Sequence, residues 1–273
     1  LEKAIDSYQK AIAINPNFAD AYNNLGNVFH DQDEWGKALD AYKNAILINP
    51  DFAAAYNSIG NALKIQGKFE EAFAAYNKAL TIAPDFTDVF NNIGLLLQEQ
   101  RKFEEAEGAF KKVISQRPND AKAYFNLSLI YNLQGFFKMG FKLYEWRTKI
   151  VDKKVRPARK QLIWDGYQSI KGKRFLVYEE QGLGDVIQFC RYLPILESMG
   201  AEVSFKVNPT LKNLLTTLEG NINLIEDFPA RNQIDFEIPM MSLPHVLDTE
   251  IKTIPSQSPY LFANKGRINY WKK

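Results

Sequence analysis

Along the first half of the chain, apolar side chains recur three or four positions apart, which places them on one face of a helix. The pattern itself repeats. Prolines stand at 16, 50, 84 and 118, and aromatic residues keep the same phase at Tyr22, Tyr56, Phe90 and Tyr124. Small residues follow at Gly26, Gly60, Gly94 and Ser128. A second set, Ala4, Ala38, Ala72, Ala106 and then Gly140, is followed in each copy by Tyr8, Tyr42, Tyr76, Phe110 and Tyr144. Each copy therefore predicts two helices. A small residue on each lets the partner approach, aromatics fill the space between neighbouring pairs, Gly67 breaks one pair, and the proline ends the second helix. One pair cannot bury its apolar face alone, so the copies stack into a superhelix with a concave surface.

Beyond residue 152 the period changes. Short apolar runs predict strands at 174–178, 202–207, 222–226 and 234–238, with helices at 186–199 and 209–218. Strand alternating with helix argues for a parallel sheet built from right-handed crossovers. The expected organisation is thus an α-helical repeat region at 1–152, a linker at 153–170 and an α/β domain at 171–273. The repeats comprise a trailing half-copy (1–18), three full copies (19–52, 53–86, 87–120) and a degenerate fifth (121–152). In that last copy Arg147 replaces the usual small residue and Asp152 the proline. The first copy starts in mid-motif without a polar cap, so the 273 residues read as part of a longer chain.

Composition narrows the function classes. With 46% hydrophobic and 24% charged residues the chain is typical of a soluble globular protein. No apolar run approaches the ~18 residues of a membrane helix. The opening "LEKAIDSYQK" is an amphipathic helix and not a secretory signal. A lone cysteine, Cys190, excludes an internal disulfide framework and fits a reducing, cytoplasmic setting. His30, His245 and Cys190 are too few soft ligands for a zinc site, so no metal is expected. Residues 1–146 carry 15 basic and 18 acidic side chains, residues 147–273 carry 19 and 14. Seven of the latter basic residues lie in "RTKIVDKKVRPARK", 147–160. Such a cluster can contact nucleic acid, but beside a proline between two domains it reads better as a solvated linker.

Candidate chemistry lies in two places. Asparagines dominate the first helix of each copy, in "YNNLGN", "YNSIGN", "FNNIG" and "FNLS". The second place is "EEQGLGDVIQFCRYLP", Glu179–Pro194, a glycine turn between strand and helix. It is not a dinucleotide fingerprint, since Ile187 stands where the third glycine belongs. Asp185 followed by Gln188 reads as a helix cap of the capping-box type. It can equally point into the cleft at the strand's carboxyl end, where open α/β sheets bind ligands. Arg191 could reach a phosphate or pair with Glu180 or Glu197. His245 is an acid/base group by type, or a structural loop residue. Cys190, Phe189 and Tyr192 read as packing.

The 34-residue copies resemble the tetratricopeptide repeat, whose arrays form an α-α solenoid that binds peptides. They are similar to the repeat arrays of O-linked N-acetylglucosamine transferases. There an asparagine just before the Leu-Gly pair forms a ladder gripping peptide backbone. The matching positions are Asn24, Ser58, Asn92 and Asn126, with one rung missing, and Asn27 and Asn61 lie on the same helices. An amide offers both donor and acceptor to an extended main chain.

The combination of "YEWR" (144–147), "WDG" (164–166), "EQGLGD" (180–185), "RYLP" (191–194) and "MSLP" (241–244) resembles bacterial tetratricopeptide proteins with a glycosyltransferase-like region of the heptosyltransferase group. The resemblance implies a Rossmann-like domain, the N-terminal, acceptor-side half of a GT-B fold. Asp185 would be the base that deprotonates an acceptor hydroxyl, with Gln181, Gly182, Gly184, Arg191 and His245 near the substrate. No cofactor is implied beyond a nucleotide-sugar donor, and that donor requires a second Rossmann domain which residues 174–273 have no room for. Residues 1–273 alone are therefore expected to be inactive. The alternative expectation is a non-enzymatic scaffold with a degenerate Rossmann-like domain.

Overall fold

The computed structural model describes residues 1–150 and 162–263. The chain divides into two compact units, Leu1–Ile130 and Tyr131–Lys273. The expected linker at 153–170 begins outside the described residues, as does most of the basic stretch 147–160.

The first unit is built of helices: α1 (Glu2–Ile14), α2 (Ala19–His30), α3 (Trp35–Ile48), α4 (Ala53–Ile65), α5 (Phe69–Ile82), α6 (Thr87–Glu99), α7 (Phe103–Gln116) and the start of α8 (Ala121–Leu133). They pair as the period requires, α2 with α3, α4 with α5 and α6 with α7. The recurring glycines allow this close approach. A methyl group added to Gly94 would lie 2.7 Å from Cε1 of Phe110, and one on Gly26 or Gly60 would clash with the ring edge of Tyr42 or Tyr76. These three rings are fully buried beside Ala38, Ala72 and Ala106, and each buried aromatic contributes about 2–3 kcal/mol of apolar burial.

A further 34-residue series emerges at the turn between paired helices. Asp33, Gly67, Arg101 and Gly135 all take left-handed backbone, with φ of 60°, 73°, 58° and 82°. The turn geometry is therefore common to every copy, and glycine supplies it in only two.

The second unit opens with α9 (Phe137–Tyr144) and a 3₁₀ turn, Glu145–Lys149. Gly140 replaces the recurring alanine there because the Asn132 side chain fills that space. Four strands follow: β1 (Arg174–Tyr178), β2 (Glu202–Lys206), β3 (Asn223–Ile225) and β4 (Phe236–Pro239). They form one sheet, all parallel, in the order β3-β2-β1-β4. The predicted strands are present within a few residues. The predicted helix 186–199 arrives as α10 (Leu183–Phe189) and α11 (Leu193–Ser198), separated by a 3₁₀ turn at Cys190–Tyr192. Pro194 near the start of α11 explains the break, since it has no N–H to continue the helical ladder. Also in this unit are α12 (Pro209–Leu215), which follows β2, and α13 (Leu243–Val246) after β4.

The sheet core is Phe175, Leu176, Val177, Val203, Phe205 and Ile238. Trp164 is buried edge-on to Phe175 at 5.3 Å, and its indole N–H donates to the Gln168 carbonyl. Leu162–Trp164 lies along the outer side of β4, with the Trp164 N–H donating to the Glu237 carbonyl. Among the described residues no helix is long and apolar enough to cross a membrane.

Candidate functional site

In the first unit the first helices of consecutive copies come together, α2 with α4 and α4 with α6, more closely than the second helices do. The first helices therefore line the inner side of the curve, and the asparagine-rich segments lie on it. These amides are bonded from copy to copy. Asn92 donates to the Oδ1 of Asn57 at 2.8 Å, and Asn126 to the Oδ1 of Asn91 at 3.3 Å. Each bond consumes one N–H of the later residue and one lone pair of the earlier. What is left is a carbonyl oxygen on Asn92 and Asn126 and an NH₂ on Asn57 and Asn91.

The rung expected to be missing is missing in a specific way. Ser58 stands where an amide would reach back to Asn23, and its hydroxyl is instead 3.5 Å from the Oδ1 of Asn27. The buried Oδ1 of Asn23 is left without a hydrogen bond. Asn24 is half-buried on α2, and α1, which precedes it, is a second-type helix that offers no matching position.

Asn27 and Asn61 have a different task. The Oδ1 of Asn27 accepts from the Tyr42 hydroxyl at 2.9 Å, and that of Asn61 from the Tyr76 hydroxyl at 2.7 Å. Burial pushes the Tyr42 hydroxyl up to about 12, so these phenols stay protonated donors. They fix both amides with the oxygen turned into the copy. Sequence reading placed these residues on the right helices but did not identify Asn57 and Asn91, whose signal was the first asparagine of each "NN" or "NS" pair.

In the second unit the strand order reverses between β1 and β4, so the carboxyl ends of these strands open the crevice where parallel sheets bind ligands. Arg147 fills it. This guanidinium, 4% exposed, donates to Glu145 Oε1 at 2.7 Å, to Glu180 Oε2 at 2.6 Å and to Ser242 Oγ at 2.9 Å. The Ser242 hydroxyl in turn donates to Glu145 Oε2 at 2.8 Å. Burial works against the charge on Arg147, yet Glu180 and Glu145 outweigh it and hold its pKa above the usual arginine value. Burial likewise raises the Glu180 carboxyl, with Arg147 pulling it back. Three sequence motifs 33 and 95 residues apart thus converge: "YEWR", "EQGLGD" and "MSLP".

Glycine-turn residues sit at the mouth of this cluster. Gln181 donates from Nε2 to the Tyr144 hydroxyl at 2.6 Å. Asp185 is close enough for its charge to act on that phenol, whose pKa is raised mainly by burial. Asp185 is not the cap of α10, as the sequence suggested. The cap is Gly182, and Asp185 at the third helical position accepts from the Gly182 N–H at 3.2 Å. A capping box there needs a side chain at the cap that glycine lacks, so only the carboxylate half is made. Gly184 faces open space.

The remaining candidates lie elsewhere. Arg191 donates to the carbonyls of Gln188 and Pro255 and stacks on Tyr260 at 4.1 Å, pairing with neither Glu180 nor Glu197. It lines a depression of about 290 Å³ with Ile195, Leu218 and Tyr260. His245 is half-buried on α13. Cys190 is buried, which pushes its thiol up to about 11. Glu179 ties the start of α12 down, accepting from the Asn208 N–H and from Lys206. Among the described residues no group of histidine, cysteine and carboxylate side chains is placed to hold a metal ion.

Comparison with known families matches residues 1–33, 26–67 and 60–101 to a TPR repeat model and residues 91–136 to a tetratricopeptide repeat model. No curated protein matches the chain. Solved structures with a similar fold include MamA (23% identity over 55% of this chain and 88% of that one, TM-score 0.48). Another is YrrB, described as a TPR protein with an unusual peptide-binding site (23%, 53% and 75%, 0.46). A third is the first TPR of Spaghetti (RPAP3) bound to an HSP90 peptide (22%, 42% and 92%, 0.41). Residues 1–136 of this chain are an array of tetratricopeptide repeats.

Proposed function

We propose that the repeat array is a peptide-binding module that holds an extended main chain along its inner face. The observation that carries this reading is the pair of amide rungs, Asn57–Asn92 and Asn91–Asn126. Each rung keeps unused N–H donors and carbonyl lone pairs, the two functions that a peptide unit pairs with. A peptide bound in this way makes main-chain hydrogen bonds without a sequence requirement at every position. The test is retention of a phage-displayed library of random dodecapeptides on the immobilised protein. Asn92→Ala with Asn126→Ala should lower retention about thirtyfold, two hydrogen bonds at ~1 kcal/mol each being about that in affinity. Ser58→Asn, which rebuilds the rung to Asn23, should raise it. Retention unmoved by these changes removes the ladder from the binding site.

A second reading concerns the α/β unit: a Rossmann-like acceptor half of an inverting, metal-independent sugar transferase, working with a nucleotide-sugar donor and a second domain. It is favoured by the convergence of Tyr144, Arg147, Glu180, Gln181, Asp185 and Ser242 at the reversal point of the sheet. In this reading Asp185 takes the acceptor proton, Gln181 orients the acceptor, and Gly182 and Gly184 leave room for it. Arg191 and His245 act in this reading through the segments they pack against. Asp185→Asn in a chain carrying the donor domain should abolish transfer from a nucleotide sugar without unfolding the unit. Unchanged turnover would leave the scaffold reading, in which the α/β unit is degenerate and the repeats alone carry the function.

A further inference from the structure

The inner face of the repeats changes character partway along, and the change is coordinated between helices. Asn27 and Asn61 each lie fifteen positions before the tyrosine whose hydroxyl they accept. In the next copy the same two positions hold Leu95 and Phe110, and the position of Asn57 and Asn91 becomes Phe125 one copy later, followed by Leu129. Where the second helix loses its hydroxyl at Phe110, the first helix gives up the amide that needed it; in the last copy Leu129 goes with Tyr144, whose hydroxyl accepts from Gln181 instead. Leu95, Phe125 and Leu129 are half-buried, each keeping part of its apolar surface open on the same helices that carry the rungs.

Much of the charge on these helices is already paired, Asp20 on α2 and Lys122 on α8 being exposed exceptions. Lys64 is the one lysine or arginine of α2, α4 and α6, and it lies 3.4 Å from Glu99. Asp88 is held by Arg117 at 2.6 Å. Along α2, α4 and α6 no unpaired lysine or arginine is left to clamp an acidic side chain, and the exposed Lys122 stands at the start of α8, beyond the amide rungs' inner stretch.

We propose that the groove selects an uncharged extended peptide with a large apolar side chain at the end lying against Leu95, Phe125 and Leu129. The inference rests on the peptide-binding reading above and adds the ligand's chemistry. The amides from Asn24 to Asn126 take the main chain, and the apolar end takes one side chain. Burying a side chain of leucine size there is worth about tenfold in affinity.

The dodecapeptide selection decides it. Clones retained by the protein should be poor in charged residues and enriched in Leu, Ile, Phe or Met toward one end. Their synthetic counterparts, capped at both termini and followed by fluorescence anisotropy, should bind about tenfold more weakly to the Leu95→Asn, Leu129→Asn double variant. The same variant should not discriminate against peptides whose apolar end residue has been replaced by serine. Because no unpaired charge is used, affinity should change less than about twofold between 50 and 500 mM salt. Retained clones that are acidic, or apolar residues spread evenly along them, overturn the proposal while leaving the peptide-binding reading in place. Clones unaffected by Asn92→Ala with Asn126→Ala overturn that reading instead.

Discussion

Tyr42 and Tyr76 end their hydroxyls on asparagines, whereas Phe110 at the same place in the next copy is fully buried and has no hydroxyl to place. The pairing predicts strong coupling between positions 95 and 110. Phe110→Tyr alone brings a hydroxyl toward Leu95 and should cost about 1–3 kcal/mol, the price of a buried group without a partner. Adding Leu95→Asn should recover about 1 kcal/mol or more of that loss, measured as a coupling energy in a double-mutant cycle by denaturant unfolding. Simple additivity would show that the two positions do not meet as Asn61 and Tyr76 do. At this scale the sequence was half legible. The phase of glycine and aromatic residues revealed which positions pack together, because size complementarity is visible in residue type. Periodicity reveals a face and not a partner, so it did not separate Asn27, held by a tyrosine, from Asn92, held by another asparagine.

The helices are set apart by turns that all require the left-handed region, yet Asp33 and Arg101 supply it without glycine. Aspartate is tolerated there, but arginine carries the full Cβ conflict, of roughly 1–2 kcal/mol. Arg101→Gly should therefore stabilise the array by about 0.5–1 kcal/mol after glycine's extra unfolded-state entropy is set against the relief. Thermal unfolding checks this, and an unchanged or lowered midpoint would mean that Arg101 makes a compensating contact. Gly67 made one of these turns legible from sequence, while Asp33 and Arg101 hid the others because neither residue type announces a left-handed backbone. Strand and helix positions in the second unit were readable from alternation alone. The break between α10 and α11 was readable only from Pro194, whose effect depends on whether the helix before it continues.

For the molecule as a whole, two compact units predict two unfolding transitions. Arg147→Ala should separate them. It leaves Glu145 and Glu180 facing each other without their cation, which costs ~3–5 kcal/mol for fully buried pairs. These carboxylates retain 31% and 21% exposure, so about 2–3 kcal/mol is expected. Calorimetry should show one transition lowered by several degrees, and hydrogen exchange should place the loss in β1, β4 and α10 with α2–α7 unchanged. Equal loss of protection in both regions would contradict the assignment. The cluster itself could not be read from sequence. Its members stand up to 97 residues apart, and isolated charges in a linear chain look like solvated surface until the sheet brings them together. The signature motifs were visible, and their convergence on one arginine was not.

The amide–phenol pair also bears on how such an array diverges over time. Losing the asparagine first strands a buried hydroxyl, whereas losing the hydroxyl first leaves the Asn27 amide open to water, so single substitutions join the Asn–Tyr and Leu–Phe versions in one favourable order only. Copying a whole repeat carries both halves across at once. An array of this kind is thus expected to change its ligand preference by duplicating and shuffling intact repeats more readily than by accumulating single substitutions along the groove.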